Sequence, residues 1–285
     1  MYYGIVFQMP VTSNVSWFDV RLFSDYFKDE NVYLSVDNAS IRIVRPAGIT
    51  KFIGIQCEPT AICNLRNRFI KTYSNYDIIL AHDEEILKAC PTAIPYVFGT
   101  CWILPEVYNN IDISRKLPKI STMAGWKNWT NGHQFRRNLY FNQESIDLPI
   151  TWYRSSAGDI LPEITSNPIL KSCSNSKSEL FLEYQYSLVI ENNRTANYFT
   201  EKLMDCLMTK TIPIYWGCTN IEKWFDTTGW IILETTDVNE LVEKCKNLPA
   251  YSDNLEIINK NHETAKKFIS FEQNIIDALR LTNNT

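Results

Sequence analysis

The residues best suited to chemistry stand in one short stretch, Glu191-Asn192-Asn193-Arg194-Thr195-Ala196-Asn197-Tyr198-Phe199-Thr200-Glu201-Lys202. The stretch leaves an apolar run, crosses a polar loop and enters an amphipathic segment. A helix that starts there turns its free N–H groups and partial positive charge toward the loop, which is an anion-binding arrangement. Lys202 adds a full cation. A lysine in a first helical turn opposes the macrodipole by roughly a few tenths of a kcal/mol, and an anionic ligand would offset that cost. Thr200 has the hydroxyl of an N-cap. Glu201 suits the positive end of the helix and has the acceptors to hold a ribose diol. A capped surface helix with a chance Glu–Lys pair reads the same residues, and local physics alone does not choose.

Other site chemistries are missing from the chain. It has no G-x-G-x-x-G, no Walker A sequence and no G-x-S-x-G elbow. It has no Asp-x-Asp, one common way of holding a metal against a nucleotide diphosphate. Its eight cysteines form no C-x-x-C, and its three histidines pair with none of them at zinc-finger spacing. Reduced, mostly buried thiols are expected.

The elements that must position this stretch follow from periodicity. Tyr186–Ile190 reads as a strand, Thr200–Lys210 as a helix with Leu203, Met204 and Leu207 on its apolar stripe, and Ile212–Trp216 as a second strand. An earlier unit of the same βαβ kind uses Ile53–Cys57, a helix over 61–73, and Tyr76–Ala81. Asp83-Glu84-Glu85 opens a short acidic helix. Met1–Phe7 and Lys119–Ala124 read as strands, and Gly132–Asn142, Asn239–Asn247 and His262–Leu281 as helices. The polar run Thr165–Ser178 reads as a surface excursion and residues 105–118 as a linker.

The chain has 285 residues, length enough for about two domains. Its 45% hydrophobic and 21% charged content is that of a folded protein with enough apolar material for two cores. A net charge of -4 argues against a protein that coats nucleic acid. No apolar run is long enough to span a bilayer, and the N-terminus lacks the basic and apolar regions of a signal peptide. A cytoplasmic protein is therefore expected, with peripheral membrane association left open and the oligomeric state undetermined. The expected fold is α/β: two Rossmann-like halves, 1–115 and 116–285, with a ligand cleft where strands end. The last helix is able to pack back on the first half.

Three segments together resemble a known family. Tyr184-Gln185-Tyr186-Ser187-Leu188-Val189-Ile190-Glu191-Asn192, then Tyr198-Phe199-Thr200-Glu201-Lys202, then Ile212-Pro213-Ile214-Tyr215-Trp216-Gly217 resemble the α1,3-fucosyltransferase signature. That pattern runs Y-[KQ]-[FY]-x-L-x-[FI]-E-N, a loop, Y-[VF]-T-E-K, a helix, and [VI]-P-[VI]-Y-x-G. Ile190 stands where Phe is common, a conservative change on a strand.

The resemblance implies a GT-B glycosyltransferase, inverting and dependent on GDP-β-L-fucose. The second half would bind the nucleotide sugar and the first the glycan acceptor. Asn192, Tyr198, Glu201 and Lys202 fall on donor-binding positions, with Glu201 on the ribose and Lys202 on the diphosphate. Gly132-His133-Gln134-Phe135-Arg136-Arg137 opens the helix where the family places a pyrophosphate-gripping arginine, and Arg136 is favoured over Arg137. Ile55-Gln56-Cys57-Glu58-Pro59 resembles the element that carries the general base, so Glu58 is the expected base. No metal or other cofactor is expected. The missing anchor suggests a bacterial or viral type of member. A different nucleotide-sugar donor, or a non-catalytic nucleotide- or carbohydrate-binding protein, remains an alternative reading.

Overall fold

A computed structural model describes residues 4–7, 20–27, 30–37, 44–45, 47–170 and 177–282. Its strands are short runs dense in Ile, Val, Leu and aromatic side chains. They alternate little with polar residues because most are buried on both faces, as parallel sheets require. In chain order the first elements are β1 (Gly4–Phe7), α1 (Val20–Phe27), β2 (Val32–Val36), β3 (Lys51–Ile55), α2 (Leu65–Thr72), β4 (Ile78–Ala81), α3 (Glu84–Ala89) and β5 (Ala93–Pro95). These five strands pair in parallel in the order β1-β2-β3-β4-β5.

There follow α4 (Pro105–Tyr108), β6 (Leu117–Ala124), α5 (Asn131–Phe141), β7 (Ile150–Ser155), β8 (Ile169–Leu170), β9 (Tyr184–Ile190), α6 (Glu201–Met208), β10 (Ile212–Trp216), β11 (Ile231–Ile232), α7 (Val238–Cys245), α8 (Leu255–Ala265) and α9 (Phe271–Thr282). The second sheet is also parallel, in the order β11-β10-β9-β6-β7-β8. From β6 the chain first builds outward through β7 and β8, then returns to β9 on the other side. The β6/β9 boundary is therefore the topological switch point, where ligands of open α/β sheets sit beyond the strand ends.

The chain divides into two compact units. One holds Met1–Phe98, Thr195–Tyr198 and Ser270–Thr285; the other holds Gly99–Arg194 and Phe199–Ile269. In the first, Ile53, Ile55, Val32, Leu34 and Val36 face Phe23 and Phe27 of α1 and Ile275, Ile276 and Leu279 of α9. The opposite face, with Phe52 and Ile79, packs on Leu65 and Phe69 of α2 and Ile86 of α3. In the second, Ile120, Leu188, Ile190, Ile212 and Ile214 pack on Phe135 and Leu139 of α5 and Leu241 of α7. Seven of the cysteines are described, and all seven are free thiols; Cys173 lies outside the described residues. So do Met1–Tyr3 of the N-terminal strand.

Pro213 lies inside β10, where a missing N–H would normally break a ladder. The carbonyl of Tyr215 accepts from Leu233, so odd-numbered residues of β10 turn toward β11. β11 begins only opposite Ile214, and Pro213 leaves no ladder bond unmade.

Three expectations need correction. The single helix over His262–Leu281 is two helices, because the chain breaks after Ala265 and restarts at Phe271, where Ser270 accepts from the N–H of Gln273 at 3.2 Å. Residues 105–118 hold α4, a 3-10 turn at Ile113–Arg115 and the start of β6, rather than a bare linker. The run Thr165–Ser178 is not wholly a surface excursion: it contributes strand β8, and Lys177 and Ser178 are buried. Residues 171–176 lie outside the described set.

Candidate active site

The C-terminal end of β9 gathers the charged residues of the second unit. Glu191 is the first residue beyond the strand, fully buried, and its own N–H donates to the carbonyl of Trp216. Its carboxylate ties down the start of α6: Oε1 accepts from the Thr200 N–H at 2.8 Å and Oε2 from the Thr200 hydroxyl at 2.7 Å. Thr200 caps the helix by accepting from the Lys202 N–H at 3.4 Å. Gly217 makes room for this acid, since a Cβ there would stand 2.5 Å from Glu191 Cγ.

Lys202 answers three oxygens. Its Nζ lies 3.1 Å from Thr200 Oγ1, 3.0 Å from Glu201 Oε1 and 3.8 Å from Glu191 Oε2. Burial pushes the Glu191 carboxyl up, with Lys202 and Thr200 opposing. Burial acts on Glu201 as well, but Lys202 and Lys177 outweigh it and hold that carboxyl at about 2. Glu201 is therefore an ionised acceptor at neutral pH.

Lys177 is the member of this charged cluster that pattern reading missed. Its Nζ stands 2.6 Å from Asp205 Oδ2, 3.8 Å from Glu201 Oε1 and 4.1 Å over the Trp102 ring. Asp205, on the next turn of α6, also accepts from the Trp102 N–H at 2.6 Å. No local signal marks Lys177, which follows a polar run. The one hint is Asp205 itself, an acid beside the apolar stripe of a buried helix, which requires a partner.

α5 delivers the arginines. Gly132 lets its first turn press on the end of β9: a Cβ would stand 1.8 Å from the Glu191 carbonyl oxygen. The Gly132 N–H donates to the Asn192 carbonyl at 3.2 Å. Arg136 then donates to the carbonyls of Ile190 and Glu191 and, at 3.0 Å, to Asn192 Oδ1. Arg137 turns elsewhere, to the Trp126 carbonyl at 2.9 Å and over the Phe141 ring at 5.2 Å. The roughly 100° per helical residue separates the two. Burial, with the charges of Arg136, Lys202 and Lys127, holds the His133 imidazole down at about 3. Arg136, Lys202 and Lys127 thus all lie within electrostatic reach of one neutral ring.

The structure brings Arg136, Asn192, Glu201 and Lys202 to one strand end. Tyr198 is placed differently: it is buried within the first unit, its ring 4.9 Å from that of His82.

Glu58 stands in the first unit, half-buried, three residues beyond β3. Its N–H donates to both carboxylate oxygens of Asp37 at 3.1 Å. Cys57 turns into the core, with Sγ 3.4 Å from the Tyr96 hydroxyl. The nearby acids are occupied or exposed. Asp83 caps α3, takes a bidentate contact from Arg66 at 2.9–3.1 Å and accepts from Thr60, while Glu84 and Glu85 face solvent.

This end of β9 lies inside the stretch, residues 118–275, that matches the C-terminal region of glycosyltransferase family 10 (fucosyltransferase). The match takes in more than half of the chain, and the protein belongs to that family. A 79-residue stretch is 29% identical to the alpha-(1,3)-fucosyltransferase FucT of Helicobacter pylori, covering 27% of this chain and 16% of that enzyme. A longer stretch of 165 residues is 25% identical to the 4-galactosyl-N-acetylglucosaminide 3-alpha-L-fucosyltransferase 9 of Cricetulus griseus, covering 56% of this chain and 40% of the relative. The matches thus span less than half the length of either relative. The fold is also that of the alpha,alpha-trehalose 6-phosphate synthase from Burkholderia multivorans, with a TM-score of 0.56 over 94% of this chain and 78% of that one at 9% identity. These likenesses establish a GT-B glycosyltransferase fold built on two Rossmann-like units. Among the described residues, no helix is long and apolar enough to cross a membrane.

Proposed function

We propose that the protein transfers L-fucose from GDP-β-L-fucose to a hydroxyl of a glycan, with inversion to an α linkage. The observation that carries this reading is the β9 end at the switch point of the second sheet. Two lysines meet three buried carboxylates there, and Arg136 donates to the Ile190 and Glu191 carbonyls and to Asn192 Oδ1, beside the N-terminus of α6. In this reading Lys202, Arg136 and the first turn of α6 take the diphosphate, Asn192 holds Arg136 at the donor site, and Glu201 holds the ribose diol.

In the transfer step the acceptor oxygen attacks C1 of the sugar. The C1–O bond to the phosphate breaks, and its electron pair leaves with GDP. The acceptor proton passes to Glu58, the general base supplied by the first unit. Fixed cations and helix N–H groups stabilise the charge that develops on the leaving diphosphate. The scheme invokes no metal and gives the charge-stabilising role to side-chain cations.

The test is incubation with GDP-β-L-fucose and a 4-galactosyl-N-acetylglucosaminide, the acceptor class named for the Cricetulus griseus relative. A mass gain of one fucosyl residue, persisting in excess chelator, is the expected result. A panel of nucleotide sugars scored by thermal stabilisation checks the donor, since a specific ligand stabilises by mass action. Stabilisation by another nucleotide sugar, and not by GDP-fucose, would overturn the donor assignment.

A further inference from the structure

Resting on the reading of Glu58 as proton acceptor, we propose that Asp37 is its positioning residue. The Asp37 carboxylate fixes the backbone that carries Glu58, and its negative charge makes Glu58 the stronger base.

The geometry is that of a clamp. Asp37 follows β2 directly, and its own N–H donates to the Ile55 carbonyl at 2.9 Å, continuing the ladder to β3. Beyond that bond the Asp37 side chain supplies the acceptors. Oδ1 accepts from the Cys57 N–H at 2.8 Å, and both oxygens accept from the Glu58 N–H at 3.1 Å. The other side of this segment is held by β4, where the Gln56 N–H donates to the Leu80 carbonyl at 2.9 Å and Gln56 Oε1 accepts from Asp83 N at 3.1 Å. Glu58 therefore leaves a backbone gripped from both flanks. The conformation that aims the Asp37 carboxylate is left-handed, φ 44°, one that Asp and Asn tolerate better than most residues.

The second contribution is charge. Asp37 is 8% exposed. Burial first, and then the Glu58 charge, lift its carboxyl to about 7 against the pull of the two N–H donors. Coulomb repulsion is mutual, so an ionised Asp37 raises the proton affinity of Glu58 by the same interaction. When Glu58 accepts the acceptor's proton, that repulsion is released. Other titratable groups face this pair. Burial pushes the Cys57 thiol well up, the Cys63 thiol to about 11 and the Tyr96 hydroxyl well up, and it holds the His82 imidazole down at about 4. All four are neutral near pH 7.

The test pairs Asp37→Asn with Glu58→Gln. Asn keeps the left-handed backbone and one acceptor oxygen but carries no charge. For the wild type, kcat should rise by about three- to tenfold as pH passes neutrality, since part of a gain in base strength reaches the transition state. In Asp37→Asn that rise should vanish, leaving the lower rate throughout, with GDP affinity unchanged. A merely structural role would lower the rate and keep the rise, and that result overturns the proposal. Carboxyl 13C NMR reads the coupling without altering Asp37. Its titration midpoint, near 7 in the wild type, should fall in Glu58→Gln; an unmoved midpoint also overturns the proposal, even if Asp37→Asn does not fold. The underlying reading fails separately: Glu58→Gln would then transfer at the wild-type rate. An inactive Glu58→Gln with an unmoved Asp37 midpoint sinks the present inference alone.

Discussion

Two strand ends in this molecule surround buried carboxylates with different partners. At the end of β9, Glu191, Glu201 and Asp205 each meet an ammonium group within 4 Å, and Glu201 is held ionised at about 2. At the end of β3, Asp37 faces backbone N–H donors and a second carboxylate, and its proton stays on up to about 7. Both units are parallel α/β sheets, so architecture does not set the difference. The partner charges do. At one strand end two lysines hold Glu201 ionised against burial; at the other a second carboxylate adds to burial and lifts Asp37.

The comparison breaks most visibly at Glu58. Glu58→Gln should lower kcat by about 100- to 10,000-fold, the usual range for a general base, and leave GDP affinity intact. Calorimetric titration of GDP beside the turnover assay separates the two. A variant that turns over normally would show that the β3 end is not the proton acceptor.

Lys202→Ala should act the other way. It removes a charge-assisted contact of about 1.5–3 kcal/mol from the donor site, so GDP should bind roughly ten- to a hundredfold more weakly. Unchanged GDP affinity would reduce Lys202 to a partner of Glu191 and Glu201 alone.

The arginine pair sharpens the register. Arg136→Ala should weaken GDP binding by several-fold, since Arg136 is the one turned to Asn192. Arg137→Ala should cost little more than its contacts with Trp126 and Phe141. The reverse order in paired titrations would move the site by one residue.

The smallest effect is read in acid. Glu201 titrates at about 2 when folded, against an ordinary value of 4.5. Its lowered pKa contributes stability that is complete above the ordinary value and lost as pH falls toward 2. Asp37 has the opposite shift, so its protonated form is favoured in the fold, and stability from that source falls as pH rises toward 7. Relative to low pH, Glu201→Gln should therefore fall below wild type in melting temperature as pH rises from about 2 to 4.5, and Asp37→Asn should gain on it as pH rises from 3.8 to about 7. Parallel profiles would erase the contrast.

The β9–α6–β10 segment was legible because its signals are local: a buried apolar run, a capping threonine, a helical stripe and a second apolar run. Helix period separates Arg136 from Arg137 by about 100° but does not say which of them faces the strand end, so that choice was not legible from periodicity. Lys177 and Asp37 were not legible either, because each acts on residues some twenty or more positions away and neither stands in a periodic pattern. The break before α9 had a readable mark: Ser270-x-x-Gln273 has the form of a capping box, overlooked inside a continuous helical pattern.

The place of α9 has a consequence for how the chain is made. Its Ile275, Ile276 and Leu279 close the same core as Phe23, Phe27 and Val32 from the other end of the sequence. On a ribosome, the first unit is synthesised first and yet lacks one wall until α9 emerges, while nearly all of the second unit is a continuous stretch that is ready sooner. Domains generally fold as units during synthesis. The order of completion here runs against the order of translation, and the half that carries Glu58 is the last to close.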